Sequence, residues 1–335
     1  MSNTTNSGIH ILGTGAFTPS ITVNNEDFTR IVETSDEWIT KRTGMKTRHL
    51  SAGEPTWYLG VQAAKKALEQ SGVSPAEIDL VLFTTISADF LSPSMACIAA
   101  RELSIQNAVC YDLNCACTGF VYALDMARRF LATDGATKIL IISSERLSAV
   151  TDYTDRSTCV LFGDGAAACV LEQKSALFSS FLATDCTGAN LLFIRAPQSR
   201  HPFITDENAV TIEDGFPQTK DKLYMDGKEV YKFATRAMPE AVEKVCERAG
   251  IAVNDLAMII PHQANTRIVD TAAQKLGIGM ERIFCNVEKY GNTSSASIPI
   301  ALDELNRTGR LHRGDKLCTV GFGAGLTYGA AVFEW

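Results

Sequence analysis

Three short stretches of this chain carry residue types suited to acyl-transfer chemistry. Cys117 lies in the run NCACTG at 114–119, between a strand pattern at 108–113 (AVCYDL) and a helix whose apolar positions Phe120, Leu124, Ala127 and Leu131 recur at helical spacing. A sulfur at a helix start meets unpaired N–H groups and the positive end of the macrodipole. Both favour a thiolate, and the same N–H groups suit an oxyanion formed at a thioester on that sulfur. Ala116 and Gly119 leave room for a substrate to approach. Taken alone, a cysteine at such a turn is more often structural than catalytic. Cys115-x-Cys117 would also make half a zinc site, but no second pair and no histidine cluster accompanies it, so no metal is expected.

His262 follows the strand pattern 256–261 (LAMIIP), and the carboxyl ends of strands are where α/β sheets place their ligands. Pro261 stiffens the exit from that strand. The other histidines, His10, His49, His201 and His312, have no comparable setting. Asn292 sits in YGNTSSAS at 290–297, another strand–turn–helix passage in which an asparagine would equally serve as a helix cap.

The elements that must position these residues repeat. AAKKALEQSG (63–72) and AVEKVCERAG (241–250) are amphipathic helix patterns closed by glycine, each followed at the same distance by an apolar strand, IDLVLFT (78–84) and LAMIIPH (256–262). KILIIS (138–143) has its counterpart in KLCTVG (316–321), and AARELSI (99–105) in AAQKLGI (272–278). The displacement is about 175 residues throughout, so Asn292 falls in the second half near the place Cys117 occupies in the first. Two halves of alternating strand and helix predict an α/β protein with mostly parallel, doubly covered sheets. The expected division is 1–174, with the nucleophile, and 175–335, with the histidine and asparagine. Residues 187–223 (with Pro197, Pro202 and Pro217) form a surface insertion near the joint.

Composition sets the class. The 335 residues suggest about two domains, and 46% hydrophobic against 21% charged residues is globular rather than disordered. A net charge of −7 argues against nucleic acid as a partner. The 10 cysteines are scattered singly through apolar stretches, as small hydrophobes of a reduced compartment are. With no apolar run near the roughly 20 residues of a membrane span and no signal-peptide pattern at the start, a cytoplasmic protein with no membrane partner is expected.

The stretches 112–124 (DLNCACTGFVYAL), 261–268 (PHQANTRI), 289–299 (KYGNTSSASIP) and 320–330 (VGFGAGLTYGA), with 35–44 (SDEWITKRTG) and 155–165 (DRSTCVLFGDG), resemble β-ketoacyl-ACP synthase III. They fall in the expected order from Gly13 to the end of the chain. The resemblance implies a thiolase-like five-layer αβαβα fold of two pseudo-duplicated halves, a homodimer, and a Cys-His-Asn site at Cys117, His262 and Asn292. Cys115 stands where a small residue such as alanine is common in the family.

The activity so implied is a ping-pong condensation that opens fatty-acid synthesis and needs no cofactor. Cys117 takes an acyl group from acyl-CoA. Malonyl-ACP then loses CO₂, His262 and Asn292 hold the enolate oxygen as neutral donors, and the enolate carbon attacks the acyl-cysteine. An oxyanion hole would combine the Cys117 N–H with the Gly323-Ala324 turn, Ala324 supplying the second donor and Phe322 shielding the site. The resemblance assigns CoA adenine stacking to Trp38 and Arg156, with Thr34 and Arg42 nearby and Asn265 on the pantetheine arm. The acidic acyl carrier protein would dock on Gln263, Ala264, Asn265, Thr266 and Arg267 together with Lys232. Positive charge at Lys41, Arg42, Lys46 and Arg48, close to Trp38, would serve the CoA, although such a cluster read alone is a solvated face. The tunnel for the acyl chain would be capped by 89–95 (DFLSPSM) from the dimer neighbour.

Three rivals are weighed. A related enzyme of specialised polyketide- or quinolone-type metabolism would carry the same residues. A non-catalytic chain-length partner would have no need of Cys117, His262 and Asn292 together. A 3-hydroxy-3-methylglutaryl-CoA synthase would require a glutamate in 83–93, which has none. GDGAAA at 163–168 imitates a dinucleotide fingerprint but runs on as a strand, and Asp164 would repel phosphate, so no nicotinamide cofactor is expected.

Overall fold

Alternating apolar residues decide how the strands are covered. In the computed structural model, which describes residues 7–133, 136–196, 203, 213–219 and 221–335, the strands of the two main sheets are β1 (Ser7–Phe17), β2 (Leu80–Thr84), β3 (Val109–Leu113), β4 (Lys138–Glu145), β5 (Gly165–Ser175), β6 (Phe178–Thr184), β7 (Met258–Pro261), β8 (Lys316–Gly323) and β9 (Thr327–Glu334). The helices that cover them are α1 (Asp36–Thr43), α2 (Thr56–Ser71), α3 (Met95–Glu102), α4 (Gly119–Leu131), α5 (Gly227–Ala249), α6 (Thr266–Leu276) and α7 (Ser297–Arg307). Leu80 and Leu82 pack to one side of the first sheet with Ile139 and Ile141, whereas Val81 and Phe83 pack to the other with Leu140 and Ile142. Period-two alternation in strands buried on both faces thus feeds two separate cores.

The layers follow from those cores. Helices α2 and α3 cover the outer face of the sheet β1-β5-β4-β2-β3. Between it and the second sheet, β7-β8-β9-β6, lie α4 and α7, burying Phe120, Leu124 and Leu131 against Ile298, Leu302 and Leu305. Helices α5 and α6 close the far side over Ile259, Val320 and Val332. This is the thiolase-like αβαβα stack. The sheets are mixed rather than mostly parallel. Parallel pairing is confined to β4–β2–β3 and to β7–β8, while β5 and β9 run antiparallel to both of their neighbours. For β9 the reversal is forced, because only Ala324–Leu326 separates it from β8; β5 follows β4 through a longer connection that holds the short helix Arg156–Cys159.

The duplication is visible in conformation as well as order. Both amphipathic helices, α2 and α5, end on a left-handed glycine, Gly72 at φ 69° and Gly250 at φ 68°. Each central helix follows a 3₁₀ turn, Ala116–Thr118 before α4 and Ser294–Ala296 before α7. Each turn opens on a non-glycine residue in the left-handed region, Ala116 at φ 47° and Ser294 at φ 48°. In that alignment Ser295, not Asn292, is the counterpart of Cys117, and Asn292 answers to Asn114. The fifth strand of the second sheet shrinks to a single parallel bridge, Ile259 to Ile283. Of residues 187–223, the described ends are joined by the short pair Leu192–Phe193 and Tyr224–Met225. The greater part between, with Pro197 and Pro202, lies outside the described residues.

Candidate active site

Cys117 stands on the 3₁₀ turn that opens α4, buried at 8% exposure. Its Sγ donates to Ser294 Oγ at 3.4 Å. Opposite, the strand end of β8 comes so close that a Cβ on Gly323 would lie 2.7 Å from the Cys117 backbone nitrogen. Gly323 is extended (φ −170°), so this glycine is required by proximity and not by backbone freedom. Gly325, at φ 129°, is the residue of that turn that needs the freedom.

His262 leaves β7 still bonded to the sheet, its N–H on Val320 O at 2.8 Å. The ring is 1% exposed and stands edge-on to Phe322, centroids 5.3 Å apart. Its Nδ1 lies 2.7 Å from Ser297 Oγ, which already accepts the Gln263 N–H at 3.3 Å. A Ser297 hydrogen directed at Nδ1 leaves the ring proton on Nε2. Burial pushes the imidazole pKa down to about 3, so the ring is neutral at physiological pH.

Asn292 is bolted to the first half by its backbone. Its N–H donates to Leu161 O at 2.9 Å and its carbonyl accepts from Gly163 N at 3.0 Å. The side-chain Oδ1 accepts the Ser294 N–H at 2.9 Å, which turns the amide nitrogen outward as a donor. His262 and Asn292 thus follow one logic: a serine occupies the acceptor end of each, and an N–H is left to donate.

The nucleophile departs from the expected thiolate. Burial raises the Cys117 thiol to about 12, and a buried carboxylate, Glu145, adds to the rise; the Ser294 hydrogen bond and the Cys117 backbone N–H oppose it without prevailing. The helix start is present, but desolvation outweighs it, so the resting cysteine is a thiol.

At the surface, Trp38 on α1 carries two guanidinium groups, Arg42 at 4.7 Å and Arg156 at 5.0 Å from its ring centroid. Arg156 also donates to Glu33 O, and the neighbouring Thr34 hydroxyl is buried without a hydrogen-bond partner.

Residues 111–187 match the family described as 3-oxoacyl-[acyl-carrier-protein] synthase III, and residues 246–335 match its C-terminal region. The β-ketoacyl-[acyl-carrier-protein] synthase III of Clostridium acetobutylicum is 44% identical, with 98% of each chain covered, and that of Clostridium tetani is 41% identical, covering 98% of this chain and 99% of its own. The crystal structure of 3-oxoacyl-[acyl-carrier-protein] synthase III from Aquifex aeolicus superposes with TM-score 0.89 at 38% identity, covering 98% of this chain and all of its own. The chain belongs to the β-ketoacyl-ACP synthase III family. It is an acyltransferase, a condensing enzyme of the kind that initiates fatty-acid synthesis.

The residues expected to receive the carrier protein of such a synthase fare unevenly. Arg267 is exposed and lies over the Tyr231 ring at 5.4 Å, and Lys232 is exposed and paired with Glu229 at 2.6 Å. Ala264 and Thr266 are half-buried, Thr266 against Gly44 at the end of α1. Gln263 is a correction. It is 1% exposed, its amide nitrogen donates to Pro261 O and Phe284 O, and its oxygen accepts from Asn286 N. It has no surface to offer a partner and instead fixes the backbone that carries His262. Asn265 caps α6 through the Ile268 N–H, leaving its amide nitrogen for another contact.

Three residues of the synthase site were not singled out in the sequence: Ser294, Ser297 and Glu145. The last, which ends β4, is fully buried. Its Oε1 accepts from Ser295 Oγ at 2.7 Å and Ser295 N at 3.4 Å. Its Oε2 accepts from Ser87 Oγ at 2.7 Å, Ile86 N at 3.0 Å and Thr85 Oγ1 at 3.1 Å. Among the described residues, no group of three or more side chains is placed to hold a metal, and no helix is long and apolar enough to cross a membrane.

Proposed function

We propose that the protein joins an acyl-CoA starter to malonyl-ACP by decarboxylative Claisen condensation, giving 3-oxoacyl-ACP, CO₂ and free CoA. The observation that carries this reading is a buried, neutral His262 together with an Asn292 whose Oδ1 accepts from Ser294, the residue that also receives the Cys117 thiol. Cys117 takes the acyl group as a thioester. Malonyl-ACP then enters and its C–CO₂⁻ bond breaks, leaving an enolate whose oxygen the two donors hold. The enolate carbon attacks the acyl-cysteine, and the Cys117 and Ala324 N–H groups stabilise the tetrahedral oxyanion until the C–S bond to Cys117 breaks. Neutral donors suit the task, because a single preorganised donor is worth about 10²–10³ in rate.

Around this centre, the Trp38 face with Arg42, Arg156 and Thr34 would hold the CoA nucleotide, with Asn265 on the pantetheine arm and Phe322 shielding the cleft. Arg267 and Lys232 would meet the acidic carrier protein. A homodimer formed along β3 would bring Phe90 and Leu91 of each chain to the neighbour's acyl tunnel. Supporting it, Val109 and Tyr111 on that edge strand are exposed, and Leu91 is 98% exposed. The reaction would take place in the cytoplasm, without a resident cofactor.

The test is intact and peptide mass spectrometry after mixing with a panel of acyl-CoAs. The acyl mass is expected on the Cys117 peptide, and modification at Cys115 alone or none at all would refute the assignment. In the Cys117→Ala background, His262→Ala and Asn292→Ala are each expected to abolish malonyl-ACP decarboxylation.

A further inference from the structure

The Cys117 sulfur must carry negative charge twice in the cycle, once when it attacks the acyl-CoA and again when its bond to the acyl group breaks in condensation. Burial makes that charge costly. Among the described residues, the side chain hydrogen-bonded to this sulfur is Ser294, with Oγ 3.4 Å from Sγ.

The serine oxygen is fixed there. Ser294 is 1% exposed, so bulk water does not compete for the contact. Its backbone is pinned by the N–H that donates to Asn292 Oδ1 at 2.9 Å, and it holds a left-handed φ of 48°. Ala116, at φ 47°, has the same conformation at the head of the matching turn in the first half and carries no hydroxyl. The duplicated turn therefore does not itself call for an oxygen; the chain places one on the copy that faces the sulfur.

A thiol is a weak donor, so the S–H···O contact contributes little while the sulfur is protonated, and a hydroxyl hydrogen is free to rotate. Once the sulfur ionises, a turn about the Cβ–Oγ bond converts the contact into a charge-assisted O–H···S⁻ bond without moving a heavy atom. In the thioester the sulfur has no hydrogen to give and no full charge to receive. The contact is thus strongest in the charged states through which the reaction passes, which is the condition for accelerating it.

We propose that Ser294 is a catalytic residue whose hydroxyl accepts the Cys117 S–H in the free enzyme and turns to donate to the thiolate. In acylation the thiol proton goes to hydroxide, giving water. The sulfur lone pair attacks the acyl-CoA carbonyl, the C–S bond to CoA breaks, and the CoA thiolate takes a proton from water, which returns the hydroxide. In condensation the C–S bond to Cys117 breaks, the thiolate leaves onto the same hydroxyl, and water reprotonates it. The other titratable groups around the turn do not take this part. Glu145 works against ionisation, His262 is neutral, and burial keeps Cys115 protonated. Tyr122 donates to Ala183 O, and Tyr328 is bonded to Glu240. Arg128 and Arg129 stand in the last turn of α4, and Lys316 begins β8 at the end away from Gly323.

This role of Ser294 rests on Cys117 being the acylated residue, and alkylation separates the two because it needs no acyl-CoA. Ser294→Ala and Ser294→Gly both remove the hydroxyl and keep the N–H on Asn292, and glycine accepts the positive φ without strain should the alanine variant fail to fold. Single-turnover acylation by acetyl-CoA (quenched flow, intact mass) and iodoacetamide alkylation of the Cys117 peptide are followed between about pH 7 and pH 10, where the thiolate fraction sets the rate. Loss of the bond is expected to raise the thiol pKa by about two units. The more basic thiolate is also the better nucleophile, so both rates should fall by about tenfold rather than a hundredfold. Malonyl-ACP decarboxylation, measured for the same changes in the Cys117→Ala background, should fall by a smaller factor. The S–H stretching band of Cys117, isolated as the infrared difference between wild type and Cys117→Ala, should move to higher frequency when its acceptor is removed. Alkylation at the wild-type rate, an unmoved S–H band, or equal losses in alkylation and decarboxylation would overturn the role of Ser294. Absence of acylation at Cys117 in wild type, with alkylation still dependent on Ser294, would instead sink the functional assignment.

Discussion

At the scale of single residues, the site is a set of side chains whose hydrogen-bond directions have been fixed by serines. Ser297 holds the His262 tautomer and Ser294 turns the Asn292 amide. Ser297→Ala is therefore expected to reduce malonyl-ACP decarboxylation in the Cys117→Ala background, by less than the about 10²–10³ lost with a donor itself. Because the imidazole titrates only near 3, well below its ordinary value, that partial reaction should show no histidine limb between about pH 5 and pH 8. An inflection near 6.5 would mean the ring is not desolvated. Cys117 and His262 were legible in the sequence because each sits at a turn after a strand pattern; Asn292, expected on a strand–turn–helix passage, instead follows the short helix Val287–Tyr290. Ser294, Ser297 and Glu145 were not legible, since a hydroxyl or carboxylate acquires its role only when the fold brings up a partner, from 35 residues away for Ser297 and His262 to 177 for Ser294 and Cys117. Gln263 misled for the converse reason: a polar letter beside the histidine gives no sign that its amide is spent on the backbone.

At the scale of elements, two turns and one strand end set the reaction space. The 3₁₀ turns before α4 and α7 open on strained, non-glycine residues, and β8 presses Gly323 against the nucleophile's backbone. Gly323→Ala would place a methyl group 2.7 Å from Cys117 N, so the turn must shift. The expected result is loss of acylation by tenfold or more (about 1.4 kcal/mol) with near-wild-type circular dichroism; an active Gly323→Ala synthase would show that the oxyanion hole lies elsewhere. The repeat itself was readable from two glycine-capped helices and their following strands. Strand direction was not. Strands such as β5 and β9, buried on both faces, give the same apolar run whichever way they point; the three-residue link before β9 betrays its reversal, and the longer connection before β5 does not.

At the scale of the molecule, the first sheet keeps β3 as its margin, while the matching strand of the second sheet is reduced to the Ile259–Ile283 bridge. Charge on the margin should prevent pairing: Val109→Lys with Tyr111→Lys is expected to sediment as a monomer, and wild type is expected to sediment as a dimer. A double variant that stays dimeric would place the interface on another face. The loss of the second half's fifth strand has a bearing on growth. Among the described residues of the two main sheets, margins β1 and β7 are mostly buried and β6 is half-buried, so β3 is the bare margin. Two copies that zip these margins together exhaust them, and assembly ends at a closed pair with no free rung from which a fibre could lengthen.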